Sequence, residues 1–246
     1  MEEWSYQPAP DLEQSVAERL RNFPRYPDMT IYVLRSLLQI GLRGFLRLYH
    51  RFRVEGREHL PREGSFVMVG NHASHLDAPC LLSSLPLRRL HRAFPAAAAD
   101  YFFSSLPRSL FTVIFVNALP FDRQKKGAES LEICRQLLER PGNILILFPE
   151  GTRSPTGEIG RFLTGIGRLT AGTTTPVVPC YLEGASAAFP KGALLPRPRK
   201  LTLRFGPPRT FAEISSKDRD AVKALCARLR EDVVALARED HDPGGA

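Results

Sequence analysis

The chain has 246 residues, 43% of them hydrophobic, which is enough for one sizeable domain with its own core. Lys and Arg total 34 against 26 Asp and Glu, and the formal net charge of +8 favours anionic partners: nucleic acid, phosphorylated substrates or an acidic membrane surface. The four cysteines include no CxxC pair, which excludes that type of redox or metal motif. We expect reduced, mostly buried thiols in a cytoplasmic protein, since the acidic and polar N-terminus shows no secretory signal.

The first two predicted elements are amphipathic helices. Residues 11–23 fit a short helix that Pro24 and Pro27 end. Residues 30–50 fit a longer helix with two different faces. Its apolar face carries Ile31, Leu34, Leu37, Leu38, Leu42, Phe45, Leu48 and Tyr49, and its basic face carries Arg35, Arg43, Arg47 and Arg51.

The arginines of the 30–50 helix help decide whether this helix crosses a membrane. At ~1.5 Å per residue the helix is ~30 Å long, which is sufficient to span a bilayer. A central arginine, however, costs up to ~3 kcal/mol, whereas each large apolar residue returns only ~0.3–0.6 kcal/mol. A helix lying in the membrane interface therefore fits better. The alternative is a helix that packs its apolar face on the domain and exposes its arginines to water.

Strands and helices alternate along the rest of the chain. Strands are predicted within 52–70, 93–99, 113–120, 143–148, 176–182 and 200–205, and helices over 78–91, 127–140, about 160–171 and about 216–238, with an apolar, partly helical segment over 101–110. This order predicts an α/β fold with a mixed, mostly parallel central sheet flanked by helices, preceded by an N-terminal amphipathic helical segment. We expect residues 1–50 to form that membrane-interface segment and residues 51–240 the α/β domain.

The most informative stretch is Asn71-His72-Ala73-Ser74-His75-Leu76-Asp77, at a strand-to-helix turn. A histidine there can act as a general base, and a carboxylate five residues further on can fix its tautomer and stabilise the imidazolium. The nucleophile would then be a hydroxyl of the substrate. The structural alternative is that Ser74-x-x-Asp77 forms a capping box, in which Asp77 only favours the start of the next helix.

Two more polar segments follow predicted strands, where ligands of α/β sheets bind. They are Phe121-Asp122-Arg123 and Pro149-Glu150-Gly151-Thr152-Arg153-Ser154. The GxSxG, HExxH, GxxxxGK[ST] and GxGxxG motifs are absent. No metal is expected, because His72-x-x-His75 lacks accompanying cysteines or carboxylates at zinc-site spacing.

Together these segments resemble the four ordered motifs of the glycerolipid acyltransferases, of the 1-acyl-sn-glycerol-3-phosphate acyltransferase (lysophosphatidate acyltransferase) type. The matching segments are NHASHLD at 71–77, FDR at 121–123, FPEGTRS at 148–154 and VVP at 177–179. The resemblance covers roughly residues 50–210, and the first motif combined with the third is highly specific. The sequence departs from the pattern at Leu163 and Thr164, where many members carry a basic residue after a phenylalanine.

The resemblance implies a role for each motif residue. His72 is the general base and Asp77 is its partner. The acceptor phosphate is bound, or its pocket shaped, by Arg123, Glu150, Gly151, Thr152 and Arg153. Guanidinium groups suit this role because they match phosphate oxygens bidentately, and glycine lets the backbone approach a ligand closely.

By the same resemblance, the protein moves a fatty acyl group from acyl-CoA or acyl-carrier protein to the hydroxyl of 1-acyl-sn-glycerol-3-phosphate, giving phosphatidic acid without a cofactor. It would act at an anionic membrane surface on the cytoplasmic face of the cell membrane, as a peripheral or monotopic protein. Glycerol-3-phosphate or another lysolipid is an alternative acceptor, and a non-catalytic lipid-binding protein is an alternative of another class. Nucleic acid is not an expected partner, because the basic residues are dispersed and no binding motif accompanies them.

Overall fold

The computed structural model describes residues 29–98, 119–121, 127–190 and 192–238. The elements predicted over 11–23 and 101–110 lie outside this part of the chain, and so does Arg123. The described helices are α1 (Met29–Tyr49), α2 (Asp77–Ser84), α3 (Leu87–Leu90), α4 (Gly127–Glu139), α5 (Gly165–Thr170), α6 (Ala185–Ala188) and α7 (Arg219–Arg238), and a 3₁₀ turn covers Arg57–His59. The described strands are β1 (Arg53–Glu55), β2 (Phe66–Gly70), β3 (Ala93–Ala98), β4 (Leu119–Phe121), β5 (Ile144–Leu147), β6 (Val177–Glu183) and β7 (Thr202–Phe205).

The described strands form one sheet in the order β1-β7-β6-β2-β5-β3-β4. Strands β6 and β7 pair antiparallel, and every other neighbouring pair of these strands is parallel. Helices cover both faces of the sheet. This architecture confirms the predicted fold class, a mixed and mostly parallel sheet flanked by helices.

Strand β2 at the centre of the sheet separates two hydrophobic cores. All five of its residues are buried, as expected for a parallel strand covered on both faces. Phe66 and Met68 point into a core shared with α1 and α2, whereas Val67 and Val69 point into a core shared with α4, α5 and α7. The two faces alternate because successive side chains of a strand project in opposite directions.

Two helix boundaries differ from the predicted ones because of local backbone chemistry. The helix expected over 78–91 is two helices, since Leu85 is extended and Pro86 follows it. The helix expected over 216–238 begins at the start of α7, because the Asp218 carboxylate accepts two backbone N–H groups of the first turn.

The helix expected over about 160–171 is shorter than predicted and consists of α5 alone. The residues before α5 are held in an irregular loop by hydrogen bonds to the segment that follows β5. The Gly160 N–H donates to the Glu150 carboxylate at 2.9 Å, and the Leu163 N–H donates to the Pro149 carbonyl at 2.8 Å. These two N–H groups are therefore engaged outside the helix.

Helix α1 packs on the domain through its polar side. Arg35 is 3% exposed, Gln39 is 1% exposed, and Leu46 is part of the core. The Gln39 side chain accepts a 3.3 Å hydrogen bond from Ser83 Oγ, and the Arg43 guanidinium donates to the Leu85 carbonyl. The alternative in which this helix exposes its arginines to water does not hold for Arg35.

Most of the apolar side of α1 faces outward. Seven of its large apolar side chains are 39 to 84% exposed: Met29, Val33, Leu34, Leu37, Ile40, Phe45 and Leu48. Leu42 differs, because it packs against the core. The described part of the chain therefore leaves most of this face exposed. None of the described helices is both long enough and apolar enough to cross a membrane.

Candidate active site

The site lies where two neighbouring strands end at the same edge of the sheet. Strands β2 and β5 are parallel, with Val69 opposite Leu147. Three residues further along each strand, His72 and Glu150 therefore leave the sheet side by side. This register brings the segments 71–77 and 148–154 together, as the sequence predicts for ligand-binding loops of an α/β fold.

His72 and Asp77 form the predicted pair. Their Nδ1 and Oδ2 atoms are 2.8 Å apart, and the side chains are 20% and 1% exposed respectively. Because a carboxylate can only accept, Nδ1 carries the proton of neutral His72 and Nε2 is left with the lone pair of a base. The arrangement is that of a triad without its serine.

The same carboxylate also organises the turn between β2 and α2. Asp77 Oδ2 accepts hydrogen bonds from the N–H groups of Ala73 and Ser74, both at 2.8 Å. Ser74 Oγ accepts the Leu76 N–H at 3.1 Å, so the capping box is only partly formed. Both interpretations of Asp77 thus apply, since one oxygen supports the helix entry and holds the imidazole.

Two residues of the third motif hold His72 in place. The Glu150 carboxylate accepts the His72 backbone N–H at 2.8 Å and the Gly160 N–H at 2.9 Å. The ring of Phe148 stacks on the imidazole with centroids 4.4 Å apart. A third contact is the 2.7 Å hydrogen bond from the Ser154 N–H to the His72 carbonyl. Both carboxylate oxygens of Glu150 thus accept backbone N–H groups of this site.

Arg153 contacts the first motif through His75, a residue for which the sequence predicted no role. Its guanidinium donates to Nε2 of His75. Burial, and then the positive charge of Arg153, lower the pKa of His75 below its usual 6.5. A neutral His75 is therefore the partner that can accept this hydrogen bond.

Gly151 and Thr152 form the turn between Glu150 and Arg153. Gly151 has φ 74°, the left-handed region, and a Cβ there would lie 2.7 Å from Cδ1 of Leu163. Thr152 is exposed, and its hydroxyl makes only a long, 3.4 Å contact with the Arg153 carbonyl. Leu163, at the position where the family pattern is basic, is 57% exposed beside this turn.

The structure gathers six of the seven residues singled out from sequence at one edge of the sheet: His72, Asp77, Glu150, Gly151, Thr152 and Arg153. The seventh, Arg123, lies outside the described residues. Sequence reasoning missed the contacts of His75 and Phe148, although both residues belong to the quoted motifs. Among the described residues, no group of three or more His, Cys, Asp or Glu side chains is placed to hold a metal ion.

The fold and this site define an acyltransferase domain. The chain belongs to the acyltransferase family, whose model, described as "Acyltransferase", matches residues 51–183. The matched range contains both members of the His72–Asp77 pair and the whole segment 148–154.

Known proteins similar to this chain include the 1-acyl-sn-glycerol-3-phosphate acyltransferase of Limnanthes douglasii, 28% identical over 158 residues, 63% of this chain and 53% of the relative. Another is the human 1-acyl-sn-glycerol-3-phosphate acyltransferase alpha, 27% identical over 195 residues, 77% of this chain and 64% of the relative. A similar solved structure is that of the 1-acyl-sn-glycerophosphate (LPA) acyltransferase PlsC from Thermotoga maritima, with TM-score 0.64, 25% identity and coverage of 87% of this chain and 82% of that one. The chain spans about half the length of the Limnanthes relative it matches.

Proposed function

We propose that this protein transfers a fatty acyl group to the hydroxyl of 1-acyl-sn-glycerol-3-phosphate, giving phosphatidic acid for phospholipid biosynthesis. The observation that carries the proposal is the 2.8 Å contact between His72 Nδ1 and Asp77 Oδ2, which leaves Nε2 to accept a proton. The relatives described above, whose names specify this acceptor, support the choice of substrate.

The proposed reaction begins with proton transfer from the acceptor hydroxyl to His72 Nε2. The hydroxyl oxygen attacks the carbonyl carbon of the acyl thioester, and a tetrahedral intermediate forms. The intermediate collapses by breaking the carbon–sulfur bond, and the imidazolium returns its proton to the departing thiolate. Asp77 stabilises the imidazolium, and general-base assistance of this kind contributes about 10²–10⁴-fold. The donor is acyl-CoA or acyl-carrier protein.

The oxyanion of the intermediate needs hydrogen-bond donors other than the first amides of the turn. The N–H groups of Ala73 and Ser74 already donate to Asp77. The amides near the start of α2 are therefore partly engaged. Binding acceptor and donor side by side in one site contributes further to the rate acceleration, because the reacting groups are already oriented.

The acceptor phosphate is proposed to bind at the turn after β5. Arg153 supplies a bidentate guanidinium, Thr152 an exposed hydroxyl and Gly151 a backbone free of a side chain. Arg123 is proposed as a second cation for the same phosphate. Glu150 serves this pocket as a support, because its carboxylate holds the backbone of His72 and Gly160.

The membrane surface is proposed as the place of action. The exposed apolar side of α1 is suited to insertion among lipid headgroups, and its flanking arginines suit anionic lipids. Leu194 and Leu195 are a second exposed apolar pair, 93% and 77% exposed. A 3.0 Å hydrogen bond from Tyr49 Oη to the Pro196 carbonyl ties their loop to the end of α1. We propose that both elements rest on the cytoplasmic face of the membrane.

The proposal is tested by measuring thiol release from acyl-CoA with purified protein and a panel of acceptors. We expect rapid release with 1-acyl-sn-glycerol-3-phosphate and slower release with glycerol-3-phosphate or lysolipids that carry larger head groups. Acyl-carrier protein replaces CoA in a parallel series, and His72→Ala protein serves as the blank. Thiol release that no acceptor stimulates from either donor would contradict the proposed function and favour a non-catalytic lipid-binding protein.

A further inference from the structure

A cavity of about 690 Å³ lies away from the His72–Asp77 pair, between the end of α1, strand β1 and the end of α2. Its polar lining is mostly arginine: Arg43, Arg47, Arg51, Arg53 and Arg57, accompanied by Ser83 and Ser84. The volume falls within the range of small-molecule and cofactor sites. The proposed chemistry at His72 uses none of these residues.

The described part of the chain does not neutralise the positive charge of this cavity. None of the described carboxylates lines it, and the nearby Glu55 is engaged by Arg204 at 3.0 Å. Within the described part of the chain, none of Arg47, Arg51 and Arg53 forms an ion pair. Arg43 and Arg57 both line the cavity, and burial and then the charge of Arg57 lower the pKa of Arg43.

The backbone of Arg51 is unusual in a way that also points to this cavity. Arg51 has φ 51°, and among the described residues no other non-glycine residue has a positive φ. It lies two residues after the end of α1, where the Phe52 N–H donates to the Leu46 carbonyl at 3.1 Å and closes the end of the helix. Glycine is the usual residue at this left-handed position, because it has no Cβ to strain. Strain of this kind is often retained at ligand sites.

The negative end of the α1 dipole accounts for only part of the cluster. A helix C-terminus favours cations in its last turn, which explains Arg47. Arg53 lies on β1 and Arg57 in the 3₁₀ turn after it, so neither belongs to α1. A solvated surface would not need several guanidinium groups facing one cavity without a carboxylate among them.

We propose that this arginine cavity binds the phosphate groups of a coenzyme A-type acyl donor. The inference rests on the proposed acyl transfer and names the donor class. The cavity contacts the end of α2 while Asp77 of the catalytic pair lies at its beginning, so the two are about 10 Å apart along the helix. The extended pantetheine arm of coenzyme A exceeds that distance, which lets the thioester reach His72 while the phosphates stay among the arginines.

Several guanidinium groups favour a ligand with more than one phosphate. Coenzyme A carries a pyrophosphate and a 3′-phosphate, whereas most lipid head groups offer one phosphodiester. Arginine is suited to this task because it binds phosphate oxygens bidentately. Lipid head groups are the competing source of phosphate, and the experiment therefore includes them.

The test is isothermal titration calorimetry of the full chain with coenzyme A, 3′-dephospho-coenzyme A and pantetheine. Affinity should fall in that order as phosphates are removed. Arg51→Gly and Arg53→Gln should each weaken coenzyme A binding by about tenfold or more, as expected for loss of a charged hydrogen bond. Arg228→Gln, an exposed arginine on the opposite face of the sheet, is the matched control and should bind as the wild type does.

Arg51→Gly separates a ligand role from a structural one. Glycine accepts the left-handed backbone without strain, so the melting temperature should be maintained or raised while coenzyme A affinity falls. If Arg51 only supports the fold, the variant should bind coenzyme A as tightly as the wild type. His72→Ala protein should also bind coenzyme A normally, because the cavity is separate from the catalytic pair.

Two further results would overturn the inference. One is coenzyme A binding that is equal in all arginine variants. The other is that the variants bind phosphatidylglycerol vesicles more weakly but bind coenzyme A as the wild type does. That result would assign the cavity to lipid head groups. The wild-type protein could also release no thiol with any acceptor while the variants still bind coenzyme A more weakly. That result would contradict the proposed acyl transfer but support the coenzyme A site. If the variants turn over with an unchanged acyl-CoA KM, the proposed acyl transfer stands and the arginine cavity is not the donor site.

Discussion

The backbone N–H of His72 donates a 2.8 Å hydrogen bond to Oε1 of Glu150, 78 residues further along the chain. The second oxygen of the same carboxylate accepts the Gly160 N–H at 2.9 Å. Glu150 therefore joins the loop after β2 to the loop after β5 and to the segment before α5. We infer that its part in catalysis is to position the backbone that carries the base.

Glu150→Gln tests this positioning role. An amide has one acceptor oxygen, so its NH₂ group would face one of the two N–H donors. Loss of that hydrogen bond in a half-buried site costs about 1–3 kcal/mol. We expect kcat to fall about tenfold or more, with a smaller change in acceptor KM, in steady-state thiol-release assays.

Glu158→Gln is the matched control for that experiment, because Glu158 is exposed in the same loop and its carboxylate forms no hydrogen bond or ion pair with a described residue. It should retain wild-type kinetics. An unchanged kcat in Glu150→Gln would show that the carboxylate is not needed to hold His72. A large rise in acceptor KM alone would instead favour a contact between Glu150 and the substrate.

His72→Ala should abolish turnover, because it removes the base. Asp77→Asn should also lose most activity, since an amide neither fixes the same tautomer reliably nor stabilises the imidazolium. Asp77→Asn should in addition lower the melting temperature, because the same oxygen accepts the N–H groups of Ala73 and Ser74. Thiol release is measured at equal amounts of folded protein, checked by circular dichroism. Near-normal release by either variant would contradict the proposed pair.

The sequence was sufficient to predict the fold class and the neighbours of the catalytic turn. Continuous apolar runs such as 144–147 are typical of strands buried on both faces, and parallel strands bring the segments after them to one edge. The sequence was not sufficient to predict which side chains contact each other at that edge. The pairing of Arg153 with His75 depends on two loops that are 78 residues apart, and no local pattern encodes it.

The polar residues that α1 buries could not be predicted from its helical wheel. The wheel separates an apolar from a basic side, and burial of the apolar side is the usual outcome. The domain buries Arg35 and Gln39, and it offers α1 a hydrogen-bond donor, the Ser83 hydroxyl that donates to Gln39, and acceptors such as the Leu85 carbonyl, which accepts from Arg43. Such acceptors are a property of the folded domain, and the sequence of the helix does not contain them.

The exposed side of α1 should bind anionic vesicles. Replacement of Val33, Leu37 and Leu48 by serine removes apolar area from this side without touching the core. We expect weaker sedimentation with phosphatidylglycerol vesicles and lower activity on lipid acceptors. The melting temperature should change little, since all three side chains are more than half exposed. Unchanged vesicle binding would exclude this side of α1 as the membrane contact.

The loop that carries Leu194 and Leu195 provides a second, independent test of membrane contact. Serine at both positions should weaken vesicle binding, because the two side chains are 93% and 77% exposed. The loss should add to that of the α1 variant if both elements insert. Equal binding with and without this change would limit the membrane contact to α1.

The titration of His75 should report its contact with Arg153. Burial and the Arg153 charge hold the pKa of His75 below 6.5, so the unfolded chain binds a proton first as the pH falls. The stability that neutral His75 contributes is therefore complete above pH 6.5 and is lost as the pH falls towards its folded pKa. Arg153→Gln should raise that pKa, because it removes the second cause of the shift. Histidine-selective NMR measures the change, and an unaltered titration would argue against the contact.

Arg153 should act on the acceptor and not on acyl transfer itself. It lies in the turn after β5, beside Gly151 and the exposed Thr152, where side chain and backbone can hold a phosphate together. Arg153→Lys keeps the charge but loses the bidentate guanidinium and its contact with His75. If the phosphate is held equally in the ground and transition states, acceptor KM should rise and kcat should change little. A charge-assisted hydrogen bond contributes about 1.5–3 kcal/mol, so kcat/KM for the acceptor should fall roughly ten- to a hundredfold.

The KM for acyl-CoA is the internal control for Arg153→Lys. If the arginine cavity at α1 and β1 holds the donor phosphates, this KM should stay nearly constant. Arg53→Gln should show the opposite pattern, with a higher acyl-CoA KM and an unchanged acceptor KM, since it lines that cavity. The two variants thus assign two phosphate sites to two substrates in one kinetic experiment. An Arg153→Lys enzyme with a normal acceptor KM and a raised acyl-CoA KM would move the donor phosphates to the turn after β5, and the acceptor phosphate would then have to bind elsewhere.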